Sequence, residues 1–212
     1  MRKVLLLTVL LTSSILAQFN ANISNITPEV QKRMINGNSW HNNCPVSLHD
    51  LRYIQVNHWD FNGKTVSGEI IVNKALANEV VYIFEELYNL HYPIRQMRLV
   101  SDFKANDWKS IDADNTSAFN CRPVTGSKKK WSKHAYGRAI DLNPLENPYI
   151  SKTGYISHKG SLKYRKRVHK YNTYSDHAVL LKYDKATQVF KKYGWRWGGD
   201  WKYSKDYQHF VK

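Results

Sequence analysis

His134, Asp141, Asp206 and His209 are the residues of this 212-residue chain whose types suit metal-assisted hydrolysis. A hydrolytic zinc takes three protein ligands from His, Asp, Glu or Cys and keeps one position open for water. His134, Asp141 and His209 offer two imidazoles and one carboxylate, and Asp206, three residues before His209, can reach the water without being a ligand. Asp141 lies between Ile140 and Leu142. In a strand those two neighbours face the core, while Asp141 and the small Ala139 face a cleft. Residues seven apart fall on opposite faces of a straight strand, so His134 reaches Asp141 only if the chain bends, and Gly137 permits that bend. Types and spacing do not fix proximity. Most of the nine histidines must be ordinary surface or core residues, and Asp141 could equally cap a turn or pair with Arg138.

The elements that must position these groups are partly legible. Thr27-Pro28-Glu29 reads as the start of a short helix, with Thr27 as cap and Pro28 in the first turn. Leu51 to Asp60 and Thr65 to Val72 read as strands joined by a hairpin at Asn62-Gly63, a pair suited to positive φ at both turn positions. Asn73 caps a helix running to about Leu90, whose apolar Leu76, Val80, Ile83, Phe84 and Leu87 recur at helical spacing. Pro93 ends that region, and Gln96 to Asp102 reads as a third strand. Residues 104–133 are a long polar loop, Ala139 to Leu142 a short strand, and 146–175 a second irregular, very basic segment. Asp176 is expected to cap a helix from His177 to Tyr193, stopped by Gly194. Trp195 and Trp197 alternate into a last strand, and Gly198-Gly199 turns the chain towards its end. Strands and helices mix without a βαβ rhythm, which predicts an α+β fold: a small, mainly antiparallel sheet flanked by helices.

Hydrophobic residues make up 42% of the chain and charged residues 23%, enough apolar surface for a packed core and against wholesale disorder. Lys and Arg outnumber Asp and Glu by 32 to 17, a formal charge of +15. Such a surface attracts polyanions: nucleic acid, anionic lipid or an acidic wall polymer. The start Met1-Arg2-Lys3, the apolar run Val4 to Leu11 and the small Ala17 have the layout of a signal peptide over residues 1–17; an uncleaved anchor is the alternative. Residues 18–44 then form an N-terminal extension and 45–212 the main domain. Export makes a disulfide between Cys44 and Cys121 the favoured reading of the only two cysteines. A two-thiol metal site is the rival, without the close Cys-x-x-Cys spacing such sites prefer.

The segment His134-x-x-Gly137-x-Ala139-x-Asp141, with a distant Asp206-x-x-His209, resembles the M15 family of zinc peptidases. These are the D-alanyl-D-alanine carboxypeptidases and dipeptidases and the L-alanyl-D-glutamate endopeptidases that act on peptidoglycan. The resemblance extends from about Pro45 to the C-terminus and takes in Ala118 to Arg122 and Gly194 to Trp201. It implies a hedgehog/DD-peptidase-like fold and one Zn2+ held by His134, Asp141 and His209. It implies Asp206 as general base; the family often has Glu there, and the endolysin-like members use Asp. Arg122 looks like the family's upstream arginine, which binds substrate or steadies the oxyanion. Ser132 and Ser117 are placed where substrate would be met. The implied activity is amide hydrolysis in the stem peptides of peptidoglycan, in the periplasm or outside the cell, with muropeptides and no nucleic acid as partners.

Two readings compete. A metal-dependent nuclease suits the basic charge, but the chain reads as exported and carries no nucleic-acid-binding motif. A wall-binding module that keeps the fold without the chemistry would be free to lose its site, yet all four positions are filled. Lys128-Lys129-Lys130 and the run Lys159, Lys163, Arg165, Lys166, Arg167 and Lys170 are either solvated loops or an electrostatic hold on an anionic envelope surface. Trp195, Trp197 and Trp201 either pack the core or line a groove.

Overall fold

The computed structural model describes residues 18–127, 129–169 and 172–212. The expected signal segment 1–17, Lys128 of the first basic run and Lys170 of the second lie outside the described residues. Elements follow in the order β1 (Ala21–Ser24), α1 (Pro28–Asn36), β2 (Leu51–Trp59), β3 (Thr65–Asn73), α2 (Ala77–Asn89), β4 (Gln96–Met97), α3 (Asp107–Asp112), β5 (Asn115–Thr116), β6 (Ala139–Asp141), β7 (Tyr149–Ile150), α4 (Tyr174–His177), α5 (Lys185–Lys192), β8 (Arg196–Trp197), β9 (Lys205–Asp206) and β10 (His209–Val211). This is the α+β architecture expected, with its pairing divided among small sheets. Among the described residues, β1-β2-β3 and β6-β10-β8 are three-stranded and β4-β5 and β7-β9 two-stranded; β4-β5 is parallel and the others antiparallel.

The β2–β3 hairpin is the frame. Its period of two sends Ile54, Val56, Ile70 and Val72 into one cluster with Val80, Ile83, Phe84 and Leu87 of α2. Leu51, Tyr53 and Ile71 enter a second cluster with Val30 and Met34 of α1 and with Phe119 and Cys121. Both faces of the sheet are therefore covered. β1, in a segment expected to be loop-like, pairs along β2 from Ala21 opposite Val56 to Ser24 opposite Tyr53. The caps are as read: the Thr27 side chain accepts from Val30 N–H, and that of Asn73 from Ala75 N–H. Asn73 opens a short 3-10 turn, Lys74–Leu76, before α2 begins. The hairpin loop is longer than a two-residue turn. Asp60 N–H bonds Lys64 O, Gly63 N–H bonds Asp60 O, and only Gly63, not Asn62, has positive φ.

Three expectations need correction. The strand expected over Gln96 to Asp102 stops at Met97, because Asn115 takes over the backbone of Arg98: its Oδ1 accepts from Arg98 N–H and its Nδ2 donates to Arg98 O. A 3-10 turn, Val100–Phe103, follows. The helix expected from His177 to Tyr193 is broken into α4, capped by Thr173, and α5, capped by Asp184. Tyr92 Oη and Asn147 Nδ2 donate to Ala178 O, Asn147 Oδ1 accepts from Leu180 N–H, and Asp184 Oδ2 accepts from Leu181 N–H. Those backbone groups are the ones a continuous helix would need. The polar stretch 104–133 contains α3 and β5 instead of a bare loop.

Cys44 and Cys121 are joined, tying the segment after α1 to the strand-like stretch that leads to His134. Among the described residues no helix is long and apolar enough to cross a membrane.

Asp114 and Glu146 form a buried acid pair. Asp114 accepts from Leu145 N–H and Glu146 accepts from Tyr164 Oη. Burial first, then the Asp114 charge beside it, pushes the Glu146 carboxyl up to about 9. The folded chain thus holds a proton that the unfolded chain, with an ordinary carboxyl, releases. Stability from this group is complete below the ordinary carboxylate range and is lost as pH rises towards about 9. The expected slope is at most about 1.4 kcal/mol per pH unit. Glu146→Gln mimics the protonated form and should flatten urea midpoints between pH 5 and 9. Equal slopes in the variant and the parent would overturn this.

Candidate metal centre

Three elements deliver the candidate ligands. Lys133–Tyr136 form one turn of 3-10 helix, capped by Ser132 Oγ accepting from His134 N–H, and this turn carries His134. Gly137 ends it with φ +65, and a Cβ there would lie 2.5 Å from Asn73 N. Only glycine meets both demands, so the bend foreseen at Gly137 is also where β3 approaches most closely. The chain then enters β6, which ends at Asp141. β10 begins at His209, directly opposite Asp141 in the antiparallel register. Ile140, Leu142 and Phe210 are fully buried around them, so the core fixes where Asp141 and His209 point.

His134 Nε2 lies 3.2 Å from Asp141 Oδ2, and His209 Nδ1 lies 2.8 Å from Asp141 Oδ1. Ligand atoms of all three residues fall within 4.8 Å of one another, and the two imidazole rings are 5.1 Å apart. His134 Nδ1 is 2.5 Å from Ala118 O. That bond uses Nδ1 as a donor and turns Nε2 towards Asp141, where it donates to the carboxylate when protonated and can bind a metal when it is not, the second bond by which metal-binding histidines are commonly oriented. Tetrahedral zinc with bonds of about 2.0–2.1 Å separates its donors by ~3.3 Å, close to the spacing present. The donor set therefore fits. His41, Cys44 and Cys121 also cluster, but both sulfurs are in the disulfide and have no thiolate to offer.

The electrostatics are those of three mutually dependent groups. Burial pushes the Asp141 carboxyl up, but the charge and hydrogen bonds of His134 and His209 outweigh it and hold it well below the usual range. Burial pulls His209 down, and the hydrogen bond and charge of Asp141, with the charge of Asp206, more than reverse this. Asp206 is pushed up to about 6, by burial first and by the Asp141 charge second. Its Oδ1 is buried with no hydrogen-bond partner, an arrangement that costs a folded protein unless another group completes it.

Gly198 packs directly against Asp206. A Cβ at Gly198 would stand 2.4 Å from Asp206 O. β9 pairs with β7, Tyr149 opposite Asp206, and Lys205 Nζ donates to the carbonyls of Gly199 and Trp201. Trp195 and Trp197 are core residues. Trp201 is not; it is 38% exposed and meets the His209 ring edge-on, 5.7 Å between centroids.

The remaining sequence-based candidates sit nearby. Ser117 exchanges two backbone hydrogen bonds with Asp141. Ser132 is buried with its hydroxyl on His134 N–H. Arg122 accepts Ser132 N–H at its carbonyl, and its charge is felt by the His209 imidazole. Its Nε pairs with Asp107 Oδ2, a residue that sequence reasoning missed because it lies in a polar stretch without period.

Comparison with known proteins places the match where the geometry is. An M15 peptidase family model described as D-alanyl-D-alanine carboxypeptidase matches residues 125–212. That span holds His134, Asp141, Asp206 and His209 and excludes Asp107, Ser117 and Arg122. The resemblance to M15 peptidases is thereby shown over these residues, and a peptidase is the activity supported at family level. No curated protein and no solved structure matches the chain.

Proposed function

We propose that the protein is an exported zinc peptidase that hydrolyses an amide bond in the stem peptides of peptidoglycan. The observation that carries this reading is the convergence of His134, Asp141 and His209 ligand atoms within 4.8 Å, beside an Asp206 carboxylate oxygen that is buried and unpartnered. The residues that would hold one Zn2+ are His134 through Nε2, Asp141 through a carboxylate oxygen and His209 through Nδ1. Bound zinc supplies Lewis acidity towards a water and towards the scissile carbonyl.

This chain's own residues do the rest. The Ala118 carbonyl keeps His134 in the tautomer that offers Nε2. Asp206 takes the proton of the attacking water on its carboxylate and returns it to the leaving nitrogen. A raised carboxyl suits the second half of that task, because the proton is held firmly enough to be handed on. Arg122 donates N–H to a carbonyl or to the developing oxyanion. The excess of basic residues favours residence on an anionic wall. The basic start and apolar run at 1–17 support export.

The direct test is incubation of the full-length mature protein with muropeptides, with and without zinc, followed by mass spectrometry. Zinc-dependent appearance of shorter stem fragments is the expected result. Metal-loaded protein that leaves every stem peptide intact would overturn the reading.

A further inference from the structure

The only two cysteines of the chain have a histidine beside them. His41 precedes Cys44 by three residues, a short spacing that lets one turn present two ligands to one ion. Cys44 and Cys121, 77 residues apart, have no such spacing between themselves. The turn from His41 to Cys44 is closed in the fold. Cys44 N–H donates to His41 O at 2.9 Å, and His41 N–H donates to Cys44 Sγ at 3.1 Å. Cys121 N–H donates to Ser39 O at 2.9 Å, so both cysteines are held against the same segment, with their Cα atoms 5.7 Å apart. A ring nitrogen of His41 and the two sulfurs fall within 4.8 Å of one another. Among the described residues neither ring nitrogen of His41 has a hydrogen-bond partner; the ring stands 6.4 Å from that of Trp131. Cys44 and Cys121 share an apolar cluster with Trp40, Val46, Phe119 and Trp131. His41 and Cys44 are only half-buried, so an ion or a reductant can arrive from their side.

Joined in the disulfide, the sulfurs have no charge to give a metal. Reduction changes that. A phosphine gives up two electrons and takes the oxygen of a water to become its oxide. The S–S bond breaks, and the two protons of that water end on the two sulfurs. A dithiol does the same by closing its own disulfide. Metal binding then sends both thiol protons to solvent and leaves two thiolates and one imidazole nitrogen as donors. Thiolates bind zinc at about 2.3 Å and imidazole at about 2.0 Å. This donor set suits a soft or borderline ion, zinc or copper(I), and not calcium or magnesium, which take oxygen. We propose that His41, Cys44 and Cys121 form a second metal site, open only when the disulfide is reduced, that takes a thiophilic ion such as Zn2+. The bound ion ties the segment after α1 to the segment leading to His134, the same two that the disulfide ties in the oxidised chain. Re-oxidation by a disulfide donor, which leaves as two thiols, re-forms the bond and releases the ion. The inference stands apart from the peptidase reading, because none of its ligands is His134, Asp141 or His209.

The test titrates the full-length mature protein with Zn2+ against a chromophoric chelator, once oxidised and once reduced by a phosphine under argon. The reduced parent is expected to bind one zinc more per chain than the oxidised parent. That difference measures this site alone. An oxidised form that binds no zinc would tell against the centre at His134, Asp141 and His209 and leave this inference to the difference. Reduced His41→Ala should hold the additional ion at least about tenfold more weakly, because even a residue that merely orients a ligand is worth about 10–100-fold in affinity. Zinc should also slow alkylation of both thiols in the reduced parent by about tenfold or more, since the bound sulfur is no longer a free nucleophile; His41→Ala should lose most of that protection. Equal zinc counts in the two redox states overturn the proposal, and so does an additional ion held as tightly by His41→Ala as by the parent. If the reduced chain loses its native circular dichroism, zinc should restore it in the parent and not in His41→Ala; a reduced parent that stays unfolded in zinc overturns the proposal as well.

Discussion

Asp206→Asn should lower kcat on a muropeptide by about 10²–10⁴-fold, the range lost with a general acid–base group, while one zinc per chain is still bound. The substitution is nearly isosteric and removes the capacity to accept and return a proton together with the negative charge. Asp206 is suited to that role. Its Oδ1 has no hydrogen-bond partner, so one carboxylate oxygen is left for a proton or a ligand. β9 holds the backbone on both sides, through pairing with β7 and the contact at Gly198, so the amide should occupy the same place. Rates on a muropeptide with zinc in excess, and zinc content by atomic absorption, check this together. Full activity in the variant would remove Asp206 from the chemistry; loss of zinc along with activity would instead make it part of the metal's binding set.

The second large effect concerns the metal. Asp141→Asn is expected to weaken zinc binding by more than about 100-fold, because losing merely a residue that hydrogen-bonds to a ligand already costs about 10–100-fold. Asp141 contributes more than one donor. Its two oxygens contact His134 Nε2 and His209 Nδ1 separately, so its charge is what keeps both imidazoles turned inwards. The amide brings no charge and offers only one oxygen. Competition with a chromophoric chelator measures the affinity, and circular dichroism confirms that the fold is kept. Unchanged zinc affinity in a folded Asp141→Asn protein would falsify the ligand assignment.

Much of the fold could be read from local chemistry. Thr27 and Asn73 cap as their side chains suggest, and the apolar residues of α2 are buried at the helical spacing they show. β2 and β3 fall close to their expected spans, because period-two alternation depends only on neighbours. Local reading failed where a distant side chain claims the backbone. Asn115 ends the strand at Met97, and Asn147, Tyr92 and Asp184 break the helix expected from His177. No pattern within those segments announces a partner 17 or 33 residues away.

The same division runs through the candidate site. Residue types and order belong to the sequence: two imidazoles, two carboxylates, a glycine where the chain must bend and an arginine upstream. These narrow the metals and the class of chemistry for which the chain is suited, because ligand preference and acid–base capacity are properties of the side chains themselves. Whether they act together was decided by tertiary structure. The pairing of β10 against β6 sets His209 opposite Asp141 across 68 residues of chain, and Gly137 and Gly198 allow tight packing against Asn73 and Asp206. The hold of Asp107 on Arg122 is likewise a product of the folded state. Coulomb forces and hydrogen bonds depend on separation in space, and only the folded backbone sets that separation.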